Sequence, residues 1–262
     1  MLNDFDLIAH KFPGEIVIYP VSDVHLGAVE HCENEWLAFL KRVESENAYL
    51  ILAGDLLNNA VKSASFANPF EEAIRPRDAK RKMVEYLAPL RDRILCVTTG
   101  NHERRTYRDD DQDLTYDICT KLDIEHLYRE NICFMAVSVG ERTNTSKPEN
   151  TYNFAVTHGT GGGIYTGAAV NRNERFGNII DGLDCLVVGH VHKGFITKPS
   201  KVIIDSRNGV VKMKHYVVIS CISWLNFCGY AARGMLLPTH VCDPQKLLLT
   251  NKRHDKKIIT TW

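Results

Sequence analysis

Five short apolar runs in the chain end in side chains that can bind a divalent metal or move a proton. The first runs into "SDVHLG", with Asp23 and His25; the second into "AGDLLN", with Asp55; the third into "TGNHER", with Asn101 and His102. Two later ones run into "THG", with His158, and "GHVH", with His190 and His192. A lone histidine after a strand is commonly a hydrogen-bonded structural residue and a lone Gly-Asp commonly a turn, so no single cluster carries the argument. Together they are chemically coherent. Carboxylate oxygen, imidazole nitrogen and amide oxygen suit manganese, iron or zinc, and the lack of cysteine argues against a closed structural zinc site. Asp23, His25, Asp55, Asn101, His158, His190 and His192 are more donors than one ion uses. Two cations ~3.5–4 Å apart repel each other, and a carboxylate shared between them offsets that repulsion. If the strand before His190 continues through His192, both imidazoles point to one edge and each can serve one of two adjacent ions.

The elements that must position these groups are legible as apolar, β-branched runs at 15–21, 49–54, 93–99, 132–139, 152–158, 184–190 and 215–223. Trp36, Leu37, Leu40 and Val43 recur at helical spacing, and further helical patterns fall near 70–90, 113–122 and 167–180. The first half is thus β-α-β-α-β, an α/β arrangement with parallel pairing, whose strand ends share the edge where ligands bind. After about 130 the strands crowd together, and residues 140–151 resemble a hairpin loop, which predicts antiparallel pairing there. The expected organisation is a single domain over 1–262, with a helical insertion around 59–92 and a C-terminal extension after about 224. The basic stretch "RPRDAKRK" reads as a solvated helix face, and "NKRHDKK" at 251–257 as an exposed end kept soluble.

Composition excludes little. Of the 262 residues, 44% are hydrophobic, and 32 acids balance 32 Lys plus Arg, so no global field draws a polyanion. No run approaches the roughly 18 apolar residues of a membrane helix, and the start lacks a leader pattern; the chain reads as cytoplasmic, with no membrane partner. Eight cysteines without a C-x-x-C pair, several inside apolar runs, read as buried and reduced.

The ordered series D-x-H, G-D, G-N-H-E, H and G-H-x-H, from Asp23 to His192, resembles the calcineurin-like metallophosphoesterase family. The resemblance implies a four-layer α-β-β-α sandwich with mixed sheets around two divalent metal ions, manganese first, with iron, zinc or magnesium as alternatives. Carried over by motif, Asp23, His25 and His192 would hold the first metal, Asp55 would bridge, and Asn101, His158 and His190 would hold the second. His102 matches the family's non-ligand histidine near the leaving group. Two cations would neutralise phosphoryl oxygens and lower the pKa of a bridging water towards about 7. A His102 imidazolium would then protonate the departing alkoxide. Glu103 is expected to orient that imidazole or a ligand, or else to form a surface salt bridge.

"SDVHLG" and "GDLLN" are more similar to the SbcD-like DNA-repair exonuclease branch than to protein Ser/Thr phosphatases, which carry Arg before G-N-H-E and D-R-G after Gly-Asp. Here Thr99 precedes Gly100, and "GDLLNNA" follows the strand. Glu103 stands where the nuclease branch has Asp, and no DNA-capping domain is evident. Arg104, Arg105, Arg108 and Lys193 are candidate contacts for substrate phosphates, with pairing to "DDDQD" at 109–113 as the structural alternative. The glycine-rich "HGTGGGIYTG" could present amides to a phosphate, and Tyr107 and Tyr165 could stack on a base; His31 reads as an ordinary surface histidine. The expected function is a dinuclear-metal phosphodiesterase or nuclease acting on DNA, RNA or a nucleotide through a metal-bridging hydroxide. The alternatives are a phosphomonoesterase or pyrophosphohydrolase of a small metabolite, and a noncatalytic metal-binding scaffold.

Overall fold

The computed structural model describes residues 5–62, 69–141, 148–163, 165–228, 231–232, 237–252 and 255–262. Its elements in chain order are β1 (Leu7–Phe12), β2 (Ile16–Val21), α1 (Glu33–Ser45), β3 (Tyr49–Ala53), α2 (Pro76–Leu87), β4 (Ile94–Thr98), α3 (Glu103–Asp110) and α4 (Leu114–Lys121). There follow β5 (Tyr128–Arg129), β6 (Ile132–Glu141), β7 (Pro148–Thr157), α5 (Thr166–Asn178), β8 (Cys185–Val188), β9 (Phe195–Thr197), β10 (Ser200–Asp205), β11 (Val210–His215), β12 (Val217–Ser220), β13 (Lys246–Leu249) and β14 (Ile258–Thr261). Each of the seven apolar runs contains a strand, and each helical pattern a helix.

Two six-stranded sheets form the body, one in the order β14-β13-β2-β3-β4-β5 and the other β1-β6-β7-β8-β12-β9. The β2, β3 and β4 strands are parallel, joined by α1 and α2 as crossovers. Every residue of β4, β8 and β12 is buried, which is why these read as unbroken apolar runs: a strand covered on both faces has no polar side to alternate with. In the second sheet only part of the expected antiparallel pairing is found. The β6 and β7 strands form the hairpin, whose connection at 142–147 lies outside the described residues, but β7, β8 and β12 run parallel.

The sheets face each other across a common apolar core. On the outside of the first, α1 buries Trp36, Phe39, Leu40 and Val43, and Trp36 meets Trp224 edge-on at 4.9 Å. On the outside of the second, α5 covers β8 and β12 through a smaller cluster containing Ala169, Leu186 and Val218. The layers are therefore α-β-β-α. On α2 the bland reading of the basic stretch holds: Ala79, Met83 and Leu87 face inward, while Lys80 pairs with Asp117 at 2.7 Å and Lys82 with Glu33 at 2.6 Å.

The segment after 224 is woven into the first sheet, because β13 pairs antiparallel with both β2 and β14. "NKRHDKK", of which 253–254 lie outside the described residues, is thus no exposed end but the connection between two strands. Asn150 and Tyr152 each donate to the Thr250 carbonyl at 2.8 Å and hold it to the second sheet. Eight cysteines are free and six of them buried, as expected. No described helix is long and apolar enough to cross a membrane.

Candidate metal centre

The strand ends of both sheets meet at one seam. Asp23 and His25 follow β2, Asp55 follows β3, and Asn101 and His102 follow β4, all in the first sheet; His158 follows β7, and His190 and His192 follow β8, in the second. Two glycines permit the close approach. A Cβ on Gly100 would lie 2.0 Å from Asp55 Oδ1, and one on Gly189 would lie 2.0 Å from Ser22 Oγ, so larger residues there would push the loops apart. Ser22 Oγ donates to the Ala53 carbonyl at 3.0 Å, and His158 Nδ1 donates to the same oxygen at 2.9 Å, which leaves His158 Nε2 facing the seam.

The backbone is bent to deliver the side chains. Asp23, His25, Asp55, His190 and His192 all have positive φ, between 50° and 71°, a region that non-glycine residues rarely occupy. Such strain persists where surrounding structure imposes it, and it clusters at functional sites. It also corrects one premise. The β8 strand stops at Val188, so His190 and His192 do not share an edge by strand alternation; they diverge towards opposite ends of the seam.

At one end, His192 Nε2 lies 3.2 Å from Asp23 Oδ1 and 3.0 Å from His25 Nε2. At the other, Asn101 Oδ1 lies 3.0 Å from His158 Nε2 and 2.6 Å from His190 Nδ1. Between them sits Asp55, whose Oδ2 is 3.2 Å from His158 Nε2, 3.7 Å from His102 Nε2 and 3.8 Å from His25 Nε2. The donor atoms of Asp23, His25 and His192, of His25, Asp55 and His102, and of Asp23, Asp55 and His158 each lie within 4.8 Å of one another. Asp23, His25, Asp55 and His158 are buried, whereas Asn101 is exposed, so the seam opens on the Asn101 side.

These residues fit divalent cations. Asp23 Oδ1 is wholly buried and accepts no hydrogen bond, a costly state for a carboxylate oxygen unless a cation lies against it. Electrostatics agree. Burial opposes charge on His158 and His192, but Asp55 and Asp23 outweigh it, raising His158 to about 10 and His192 above its ordinary value. Burial likewise opposes ionisation of Asp23 and Asp55, yet His192 and His158 hold both carboxyls below the usual range. Without metal, the carboxylates favour the protonated form of both histidines, most strongly at His158.

Several expectations about neighbouring residues change. Glu103 forms no surface salt bridge, and of its two expected orienting roles the contacts are those towards a candidate ligand: it is 1% exposed and accepts backbone N–H groups from Leu57 at 2.8 Å and from Asp55 and Gly100 at 3.1 Å. It clamps the loops after β3 and β4 together, and burial followed by the nearby Asp55 charge pushes it up to about 7. Burial likewise pulls His102 down to about 3, so its resting form is the neutral imidazole rather than the expected imidazolium.

Arg104 and Arg105 part company on α3. Arg104 points away and binds Glu130 at 3.3 Å, outside the metal cluster and apart from "DDDQD". Arg105 points in, donating to the Asn58 carbonyl at 3.1 Å and to His102 Nε2 at 3.0 Å. Lys193 Nζ donates to the Gly163 carbonyl at 2.7 Å, anchoring the glycine-rich loop, of which Ile164 lies outside the described residues. Tyr107, Arg108 and Tyr165 are exposed. His31 is no surface histidine; it is half-buried, and its Nδ1 donates to the Val24 carbonyl at 2.8 Å behind the Asp23 loop.

A seam of carboxylates and imidazoles between two mixed sheets is the donor set of a divalent-metal centre. The family model for calcineurin-like phosphoesterases matches residues 16–194, and the chain belongs to that family. Among solved structures it is similar to a conserved protein of Streptococcus pneumoniae TIGR4, a predicted phosphoesterase, with 10% identity and a TM-score of 0.35 over 94% of this chain and 98% of that one. It is also similar to the calcineurin-like phosphoesterase YfkN from Bacillus subtilis, with 12% identity and a TM-score of 0.42 over 94% of this chain and 90% of that one. No curated protein matches it.

Proposed function

We propose that the protein is a dinuclear-metal phosphodiesterase, and that its substrates are nucleic acids or nucleotides. The observation that carries the metal assignment is the position of Asp55: one buried carboxylate lies within 3.2 to 3.8 Å of imidazoles reaching it from both sheets. On this reading Asp23, His25 and His192 hold one cation, Asn101, His158 and His190 hold the other, and Asp55 bridges. When bound, the two cations supply Lewis acidity towards phosphoryl oxygens and lower the pKa of water; manganese is the expected pair.

The chain's own groups do the remaining work. Asp23 and Asp55, ionised throughout the neutral range, fix the charge of the centre. His102 and Arg105, side by side against Asp55, face the oxygen that leaves. Arg105 offers guanidinium protons to a phosphate oxygen, which favours a substrate carrying charge on both sides of the scissile bond. The exposed flank at Asn101 leaves room for the second ester arm of a diester.

The test is hydrolysis with manganese of bis-aryl against mono-aryl phosphate, then of single- and double-stranded DNA, RNA and cyclic nucleotides. Preference for the diester and for one nucleic-acid or nucleotide substrate is expected. Preference for the monoester would assign the site to a small phosphorylated metabolite instead.

A further inference from the structure

The ribbon of β10 and β11 stands apart from both large sheets and from the metal centre. Among the described residues its strands pair only with each other. It is tied to the body near the start of β8, where Lys201 Nζ donates to the Ile180 carbonyl at 2.7 Å and Lys214 lies 3.6 Å from Asp184. His190 and His192 follow the other end of that strand, so the ribbon leaves the sheet at the end remote from the candidate centre.

Strand alternation gives the ribbon two unlike faces. Val202 is opposite Met213 and Ile204 opposite Val211, so these four side chains share one face. They are 71%, 65%, 78% and 69% exposed, respectively. The charged groups occupy the reverse face: Lys201 and Lys214 grip the body, and Lys212 closes on Asp205 at 2.9 Å. At its base the apolar face ends in a polar pair, Ser200 with His215. The result is a contiguous apolar patch on the order of a few hundred Å², a size at which such patches on soluble proteins are commonly functional.

We infer that this face is the contact surface for a second copy of the chain, the two ribbons packing face to face about a twofold axis as a small two-layer sandwich. An anionic partner, whether nucleic acid or a lipid headgroup layer, would be met by charge on the exposed face. Here the charge lies behind it and is largely bound to the protein itself. Aliphatic side chains also give nucleobases no ring to stack on. A second copy supplies a matching uncharged face. Two such faces would remove on the order of 1,000 Å² from water, near the lower limit for a specific interface, so the dimer should be reversible and concentration-dependent.

Sedimentation equilibrium of the full chain, from low to high micromolar concentration, tests this. A monomer–dimer equilibrium is expected, and it should tighten with added sulfate, because the contact is apolar and excluded salts strengthen apolar burial. Ile204→Asp should weaken the dimer at least about tenfold by burying an unpaired charge. Val211→Thr, which keeps the branched strand-forming side chain, should weaken it in the same direction by less, and circular dichroism confirms the fold of both. Phosphoester hydrolysis should be unaltered. A chain that stays monomeric throughout, or a dimer indifferent to both substitutions, would overturn the inference. So would binding to anionic vesicles or nucleic acid that weakens with salt and is lost in Ile204→Asp.

Discussion

Arg105 donates to Nε2 of His102 at 3.0 Å, while Nδ1 of the same ring donates to the Asn58 carbonyl at 2.7 Å. That carbonyl also accepts from Arg105, so a single backbone oxygen holds both side chains. The ring is thereby fixed as the Nδ1–H tautomer, with its Nε2 lone pair turned to the guanidinium and to Asp55. On the proposed reading, a phosphate that drew Arg105 away would free Nε2, and its negative charge would favour the protonated ring from which a leaving oxygen could take a proton. The two residues therefore act as a unit, and their effects should not add.

His102→Ala should keep its metal and lose about 10²- to 10⁴-fold in turnover of poor leaving groups, with a smaller loss on activated aryl esters. Arg105→Met should chiefly raise KM, and the double variant should be little worse than His102→Ala. Steady-state kinetics on the two ester types, with elemental analysis of each protein, decide the matter. Equal loss on both esters would remove His102 from the leaving-group side.

Asp55→Asn addresses the centre itself. The substitution keeps the size of the side chain but removes the charge that draws His158 and His25 together, so the purified variant should lose most of its divalent metal while remaining folded. Elemental analysis against circular dichroism separates the two outcomes. Full metal content in Asp55→Asn would refute the bridging role.

The cluster of candidate ligands was legible in the sequence because divalent cations admit few side-chain types, and because those types fell at the ends of apolar runs that had to be strands. What was hidden was geometry that no run of letters encodes. Positive φ at His190 and His192 replaces the expected alternation, since the chain turns sharply at Val191, whose N–H bonds back to the Gly189 carbonyl. Arg104 and Arg105 look alike in sequence, yet a helix turns about 100° per residue, which sends one to Glu130 and the other to His102. The strands β1, β13 and β14 were missed for a related reason. They are short, and pairing with β6, β2 and β13 respectively is what makes them strands.

Glu103 shows how a residue that offers no donor of its own to a cation can set the site. Its carboxylate accepts three buried N–H groups from two loops. Glu103→Gln is nearly isosteric but replaces one acceptor oxygen with a donor that must face those N–H groups. The expected cost is about 1–3 kcal/mol, the price of leaving buried donors unmet. Thermal or urea denaturation of metal-free protein would measure it. An unchanged midpoint would show that the clamp contributes nothing to stability.

Metal uptake should release protons, and the direction follows from the shifted groups. His158, raised to about 10, carries a proton at neutral pH when no cation is present, and His192, also raised, keeps its proton to higher pH than an ordinary imidazole. Asp23 and Asp55, both lowered, stay ionised. A cation must therefore displace protons from imidazole nitrogen but none from carboxylate. Apparent affinity should rise with pH across the neutral range, by about tenfold per unit for each proton displaced, and fall as the solution is acidified. Calorimetric titration of manganese in two buffers of different ionisation enthalpy would count the released protons. A count of at least one is expected with wild type, and a smaller count with His192→Gln, which keeps the side chain's reach but carries no titrating nitrogen. Heats that are identical in the two buffers would mean that the carboxylates are balanced in some other way.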